Sequence, residues 1–265
     1  ECLLWTVSMY RDHLTATGNR WLRVSAIAND ARLMVALTAL PVFLLGAVVL
    51  PTRNTLFLTM AMYGLAAVAL LFCAARTGQM VRFGHANRVT WIRVALTVVI
   101  AGALAGAPGL VNWWVITALA GVALALDGLD GYLARRFAAC SAFGARFDME
   151  TDAALILVLS LLIGLSDKTG LWILAAGALR YLFVAAGWIW PRLMRPLPYS
   201  AFRRAVCAIQ IGALLICLLP VVTSNAATVI GGSALVMLCL SFGRDILWLV
   251  AGPVPESVPI AKCQN

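Results

Sequence analysis

An all-α, polytopic transmembrane helix bundle is the fold class this sequence predicts, and three observations predict it. Hydrophobic residues make up 63% of the 265 and charged residues 12%, where a soluble domain carries roughly 25% charged residues. The hydrophobic residues gather into eight long segments, at about 33–50, 55–75, 89–107, 112–127, 148–165, 170–190, 205–222 and 226–250. These segments run without period-two alternation, and a lone chain segment in lipid satisfies its own N–H and C=O groups only as a helix.

Taken in order, residues 1–32 mix Leu3, Leu4, Trp5, Val7 and Met9 with Arg11, Arg20, Arg23 and Arg32. They read as a cytoplasmic segment lying partly on the membrane as an amphipathic helix. No cationic start precedes a compact apolar core and a small-residue cleavage site, so a cleaved signal peptide is not expected. Pro41 falls inside the first span and is expected to kink it. Met80, Val81 and Phe83 lie among arginines and read as a short interfacial helix. Ala107-Pro108-Gly109 and Leu165–Gly170 are turns between spans. Pro191 to Gln210 holds four arginines and three prolines and reads as a basic turn opening another helix. The tail from 252 on, rich in proline and polar residues, is expected to be disordered.

Lysine and arginine set the orientation. With the N-terminus inside, the cytoplasmic connections hold Arg76, Arg82 and Arg88, then Arg135, Arg136 and Arg146, then Arg192, Arg195, Arg203 and Arg204. The other side holds only Arg53 and Lys168. This asymmetry predicts both termini in the cytoplasm. It also accounts for the net charge of +9 without a nucleic-acid partner. The seven cysteines are scattered, odd in number and lack a CxxC pair, so they read as small apolar residues. Two histidines leave little for a histidine-based metal site or a Ser-His-Asp triad.

The chemistry concentrates between Asp127 and Asp152, which hold five of the eleven acidic residues: Asp127, Asp130, Asp148, Glu150 and Asp152. Carboxylates beside a bilayer are costly and point to function. Asp127 and Asp130 are three apart, and Asp148 and Asp152 four apart, so each pair shares a helix face. Two such pairs facing each other make an all-oxygen site suited to Mg²⁺ or Mn²⁺. Glu150 points away from Asp148 and Asp152 on a helix and is left outside the site. Gly131 and Gly144 leave room beside the carboxylates, and Ala134 keeps that face small while Arg135 adds a cation.

The order Asp127, Asp130-Gly131, Ala134-Arg135, Gly144, Asp148, Asp152 resembles the signature of the CDP-alcohol phosphotransferase family, including the spacing from Arg135 to Gly144. Asn87, Thr90 and Arg93, spaced by three, are similar to the family's Asn-x-x-Thr-x-x-Arg pattern. On spacing alone, Arg93 also reads as a helix-end arginine snorkelling to the membrane surface. Pro198, Ser200, Arg203, Arg204 and Gln210 are similar to the family's Pro-Ser, Lys and Gln pattern, with Arg in place of Lys. The resemblance covers about 85–250. It implies a six-helix core there, preceded by the segment 1–32 and by two additional spans with an interfacial helix in 33–84, and followed by a tail at 251–265.

What the resemblance implies is transfer of a substituted phosphate from a CDP-linked donor to an alcohol, with release of CMP. One or two Mg²⁺ or Mn²⁺ ions would be held by Asp127, Asp130, Asp148 and Asp152, with Asp152 as the catalytic base. Gly131, Ala134, Arg135, Gly144, Asn87, Thr90 and Arg93 would bind the CDP group. Arg180, in mid-span where a charge needs a wet cavity, and Arg203 and Arg204 would bind the acceptor. CDP-diacylglycerol is the expected donor, since its acyl chains can stay among the helices. Glycerol 3-phosphate or inositol phosphate would suit the arginines, with serine, choline or inositol as other acceptors. Family members commonly form homodimers, and a bacterial plasma membrane is the expected setting. A CDP-choline or CDP-ethanolamine aminoalcohol phosphotransferase is the alternative within the family. A cation-coupled transporter is the alternative outside it, although its site would be expected near the midplane on broken helices. Arg244 and Asp245, near the end of the last span, are expected to form a local pair or to snorkel.

Overall fold

Long apolar segments free of strand periodicity should fold as helices throughout, and they do. The computed structural model of the protein describes residues 20–50, 52–76, 85–106, 111–136, 142–194 and 200–251. Among these residues there are eight α-helices and no strand. They are α1 (Arg20–Val49), α2 (Arg53–Arg76), α3 (His85–Gly102), α4 (Trp113–Arg136), α5 (Ala142–Leu165), α6 (Leu174–Ile189), α7 (Ala201–Leu218) and α8 (Ser224–Ala251). Short 3₁₀ turns follow α3 and flank α6. Residues before Arg20, Met80, Val81 and Phe83 of the expected interfacial helix, Pro198 and the tail from 252 on lie outside the described residues.

Among the described residues six helices are long and apolar enough to cross a membrane: α1 from Asp30, α2 to Cys73, α3 with its 3₁₀ extension, α6, α7 and α8. The other two of the eight expected spans correspond to α4 and α5. In α4 the apolar stretch is the shorter Trp113–Leu129, and α5 carries Asp148, Glu150 and Asp152 in its first half. The two helices that depart from the spanning pattern are those that hold the acidic cluster. The first span, expected from about 33, lies at Asp30–Val49 within α1, whose described part reaches back to Arg20.

The chain divides into two compact units. The first comprises residues up to Ala105 together with Leu126–Asp148, and the second comprises Gly106–Ala125 and everything from Met149 on. In the first, α1, α2 and α3 pack on one another. Three polar side chains join them. Trp91 Nε1 on α3 donates to Thr38 Oγ1 on α1 at 2.8 Å, Tyr63 OH on α2 donates to the Val35 carbonyl at 2.6 Å, and the Thr38 and Tyr63 hydroxyls lie 2.7 Å apart. Lipid contributes no hydrophobic drive between helices, so packing and interhelical hydrogen bonds of this kind hold such bundles together.

In the second unit α7 packs along α8. Gly177 lets α6 meet α5 closely: a Cβ there would stand 2.6 Å from the Leu157 Cα. Ser200 caps α7, its hydroxyl accepting from the Arg203 N–H. Lys168 closes the other end of α7 by donating to the carbonyls of Cys217 and Leu219, where a cation complements the helix dipole. Asp167 just before it adopts a left-handed backbone, with φ of 56°.

Candidate active site

The acidic cluster is built from two helices. Asp127 lies late on α4, and Asp148 and Asp152 lie in the first half of α5, one turn apart. Asp127 and Asp148 each present a carboxylate oxygen within 4.8 Å of the other's. Uncompensated, two carboxylates this close repel. The compensation comes from α3. Arg93 Nη1 donates to Asp148 Oδ1 at 2.6 Å and lies 3.1 Å from Asp127 Oδ1, and its side chain is 0% exposed against 21% and 26% for the two aspartates. The snorkelling reading of Arg93 is thereby corrected. A buried guanidinium pairs inward, because carboxylates neutralise it more fully than a route to the surface would.

Asn87, Thr90 and Arg93 form one buried stripe on α3, and Thr97 extends it by another turn. Thr97 returns its hydroxyl to the Arg93 carbonyl at 2.8 Å. Trp91, also fully buried, stands about 200° around the helix from Arg93 at 100° per residue. The Trp91 face is the one hydrogen-bonded to Thr38, so α3 is gripped on one side and presents its arginine on another.

Gly144 precedes Asp148 by one turn of α5. Asp130, Gly131, Ala134 and Arg135 fall on the last turns of α4, and of them only the backbone course is described. Asp152 receives a contact from α7, the Cys207 thiol lying 3.7 Å from its Oδ2.

The arginines expected to meet the acceptor all lie on helices of the second unit. Arg180 on α6 is ion-paired with Glu150 of α5, the carboxylate left outside the cluster. Arg203 is 3.3 Å from Asp245 on α8. The expected local pair of Arg244 and Asp245 is therefore corrected. Neighbours in a helix point about 100° apart, and Arg244 lies over the Phe202 ring instead, 5.2 Å from its centroid. Arg204 is exposed. Gln210, two turns further along α7, is fully buried.

A cavity of about 300 Å³, lined among others by Trp113, Leu165, Asp167 and Lys168, lies at the far end of α5. Leu165 is thirteen residues beyond Asp152, about 20 Å along a helix, so this cavity is separate from the acidic cluster.

The cluster on α4 and α5 falls within a stretch that a family profile recognises: that of the CDP-alcohol phosphatidyltransferases matches residues 83–242, more than half of the chain. The chain belongs to the CDP-alcohol phosphatidyltransferase family. Its members are transferases of substituted phosphate groups that act on a CDP-alcohol and an alcohol acceptor. Neither the curated proteins nor the solved structures include a match to the chain. The family match contains the four aspartates, Arg93, Arg180, Arg203 and Gln210. Helices α1 and α2 precede it, and Asp245 follows it.

The structure also brings forward residues to which sequence reasoning gave no part beside the expected site residues: Thr97, Trp91, Cys207, Glu150 and Asp245. Charge balance could have found the last two, since Arg180 and Arg203 each need a counter-ion in an apolar setting. Nothing in the sequence marks Cys207.

Proposed function

We propose that the protein transfers the phosphatidyl group of CDP-diacylglycerol to an alcohol acceptor and releases CMP, working in a bacterial plasma membrane with its site facing the cytoplasm. The observation that carries the reading is the buried Arg93 drawing Asp127 and Asp148 together from separate helices. Hard carboxylate oxygens this close fit Mg²⁺ or Mn²⁺. Asp127, Asp130, Asp148 and Asp152 would hold one or two such ions, which when bound neutralise charge on the phosphates.

The rest of the chemistry falls to side chains. The acceptor hydroxyl oxygen bonds to the phosphorus bearing the diacylglycerol. The bond from that phosphorus to the bridging oxygen breaks, and CMP leaves with the electron pair. The hydroxyl proton passes to Asp152, a half-buried carboxylate on α5. Asn87, Thr90, Gly131, Ala134, Arg135 and Gly144 bind the CDP group, while Arg93 fixes the two aspartates beside it. Arg180, Arg203 and Arg204 favour an acceptor that carries its own phosphate, such as glycerol 3-phosphate or inositol phosphate. Residues 85–250 form the catalytic core on this reading, and the enzyme acts as a homodimer.

The test is a panel assay. Purified protein in detergent–lipid micelles receives CDP-diacylglycerol, Mg²⁺ or Mn²⁺ and one acceptor at a time, and CMP is measured. A metal-dependent signal with a phosphorylated acceptor is expected. Release only from CDP-choline or CDP-ethanolamine with diacylglycerol would move the protein to the aminoalcohol branch.

A further inference from the structure

Gln210 is completely buried, and neither its amide nitrogen nor its amide oxygen has a hydrogen-bond partner among the described residues. Buried polar groups are paired as a rule, and one left wholly idle asks for an explanation. Its position supplies one. Gln210 follows Cys207 by three residues on α7, so the two share a face, about 4.5 Å apart along the axis. That face is turned toward α5 at the catalytic end, because the Cys207 thiol reaches Asp152 Oδ2 at 3.7 Å. Arg203, four residues before Cys207, continues the same face outward and is matched by Asp245. Along this line α7 presents a paired arginine, a thiol on the Asp152 carboxylate and then an unpaired amide.

We infer that Gln210 recognises the acceptor, by hydrogen bonding a hydroxyl adjacent to the one that reacts, and that the acceptor is therefore a polyol. This rests on the phosphatidyl-transfer reading above. The chemistry follows from what the amide offers. Its nitrogen donates and its oxygen accepts, and both are idle. A hydroxyl can answer both at once. An ester carbonyl of the lipid donor accepts only and would leave the amide oxygen unpaired. A quaternary ammonium can do neither. A site that holds a substrate hydroxyl on a buried polar group rejects the analogue lacking it strongly, because the protein group is then left unpaired.

The experiment pairs each polyol with the analogue missing the hydroxyl next to the reacting one, for example glycerol 3-phosphate with 3-hydroxypropyl phosphate. CMP release from CDP-diacylglycerol gives kcat/KM for the wild type and for Gln210→Met, an unbranched apolar replacement of similar length. The wild type is expected to prefer the polyol by at least about tenfold. Gln210→Met should lose about that factor with the polyol and keep its rate with the analogue, so that the preference disappears. The wild-type comparison needs no variant to fold. Equal wild-type rates with polyol and analogue overturn the inference and leave phosphatidyl transfer standing, as does a loss in Gln210→Met that is the same for both acceptors. No CMP from the wild type with any acceptor overturns the transfer reading, and this inference falls with it.

Discussion

Arg93 donates from Nη1 to Asp148 Oδ1 at 2.6 Å from a side chain with no solvent exposure. The same nitrogen reaches Asp127. One buried cation thus sets the distance between two carboxylates of the proposed metal site, and α3 acts as the third wall of a cluster whose acids come from α4 and α5.

Removing that cation exposes its role. Arg93→Met leaves Asp127 and Asp148 facing each other uncompensated, and breaking such a buried pair costs about 3–5 kcal/mol. A divalent ion can restore the missing charge. Thermal unfolding of Arg93→Met should therefore start well below wild type and gain more from added Mg²⁺ or Mn²⁺ than wild type does. Equal gains in the two proteins would show that the ion binds elsewhere.

The bundle around α3 gives a second prediction. The Trp91, Thr38 and Tyr63 hydrogen bonds join α1, α2 and α3. Interhelical hydrogen bonds in membranes average about 0.6 kcal/mol and reach about 1.7. Thr38→Val and Tyr63→Phe should each destabilise by an amount in that range. Because the two hydroxyls share one network, the double variant should lose less than the sum. Unfolding in a denaturant series reads all three, and strict additivity would argue against a shared network.

Close helix approach is tested at a glycine. A Cβ at Gly177 would stand 2.6 Å from the Leu157 Cα, which is backbone and cannot swing aside. Gly177→Ala should push α6 off α5 at a cost of about 1–3 kcal/mol. Gly64 has nothing within 4 Å of its ideal Cβ position, so Gly64→Ala should be neutral or slightly stabilising. A cost at Gly64 equal to that at Gly177 would contradict the packing account, since backbone entropy alone favours alanine in a helix.

Much of this was legible in the residue order. Helices were demanded by apolar segments without alternation, and the aspartate spacing marked the cluster together with its two helices. What stayed hidden were long-range partners. Arg93 could be assigned a face, but its burial depends on how α3 lies against α4 and α5, which no local pattern encodes. Asp245 paired with Arg203, forty-two residues away, and the sequence offered adjacent Arg244 as the nearer choice.

A pH effect is expected at Lys168. Burial is the main cause that pushes the Lys168 ammonium below its ordinary value of 10.5. The unfolded chain then binds a proton over a range where the folded chain does not, so stability rises with pH between the lowered value and 10.5. Lys168→Met should flatten that rise. An unchanged slope in Lys168→Met would assign the effect to another group.

The most direct test of the central claim follows both products of one reaction. Wild type and Asp152→Asn, each in CDP-diacylglycerol micelles with a polyol phosphate acceptor, would be assayed for CMP and for the new phospholipid, with Mg²⁺ or Mn²⁺ and after chelation. The account predicts equal amounts of the two products from wild type, loss of both on chelation, and a fall of at least about a hundredfold in Asp152→Asn, as expected when a general base is removed. A folded wild type that forms neither product, or an Asp152→Asn variant that retains full turnover, would contradict it.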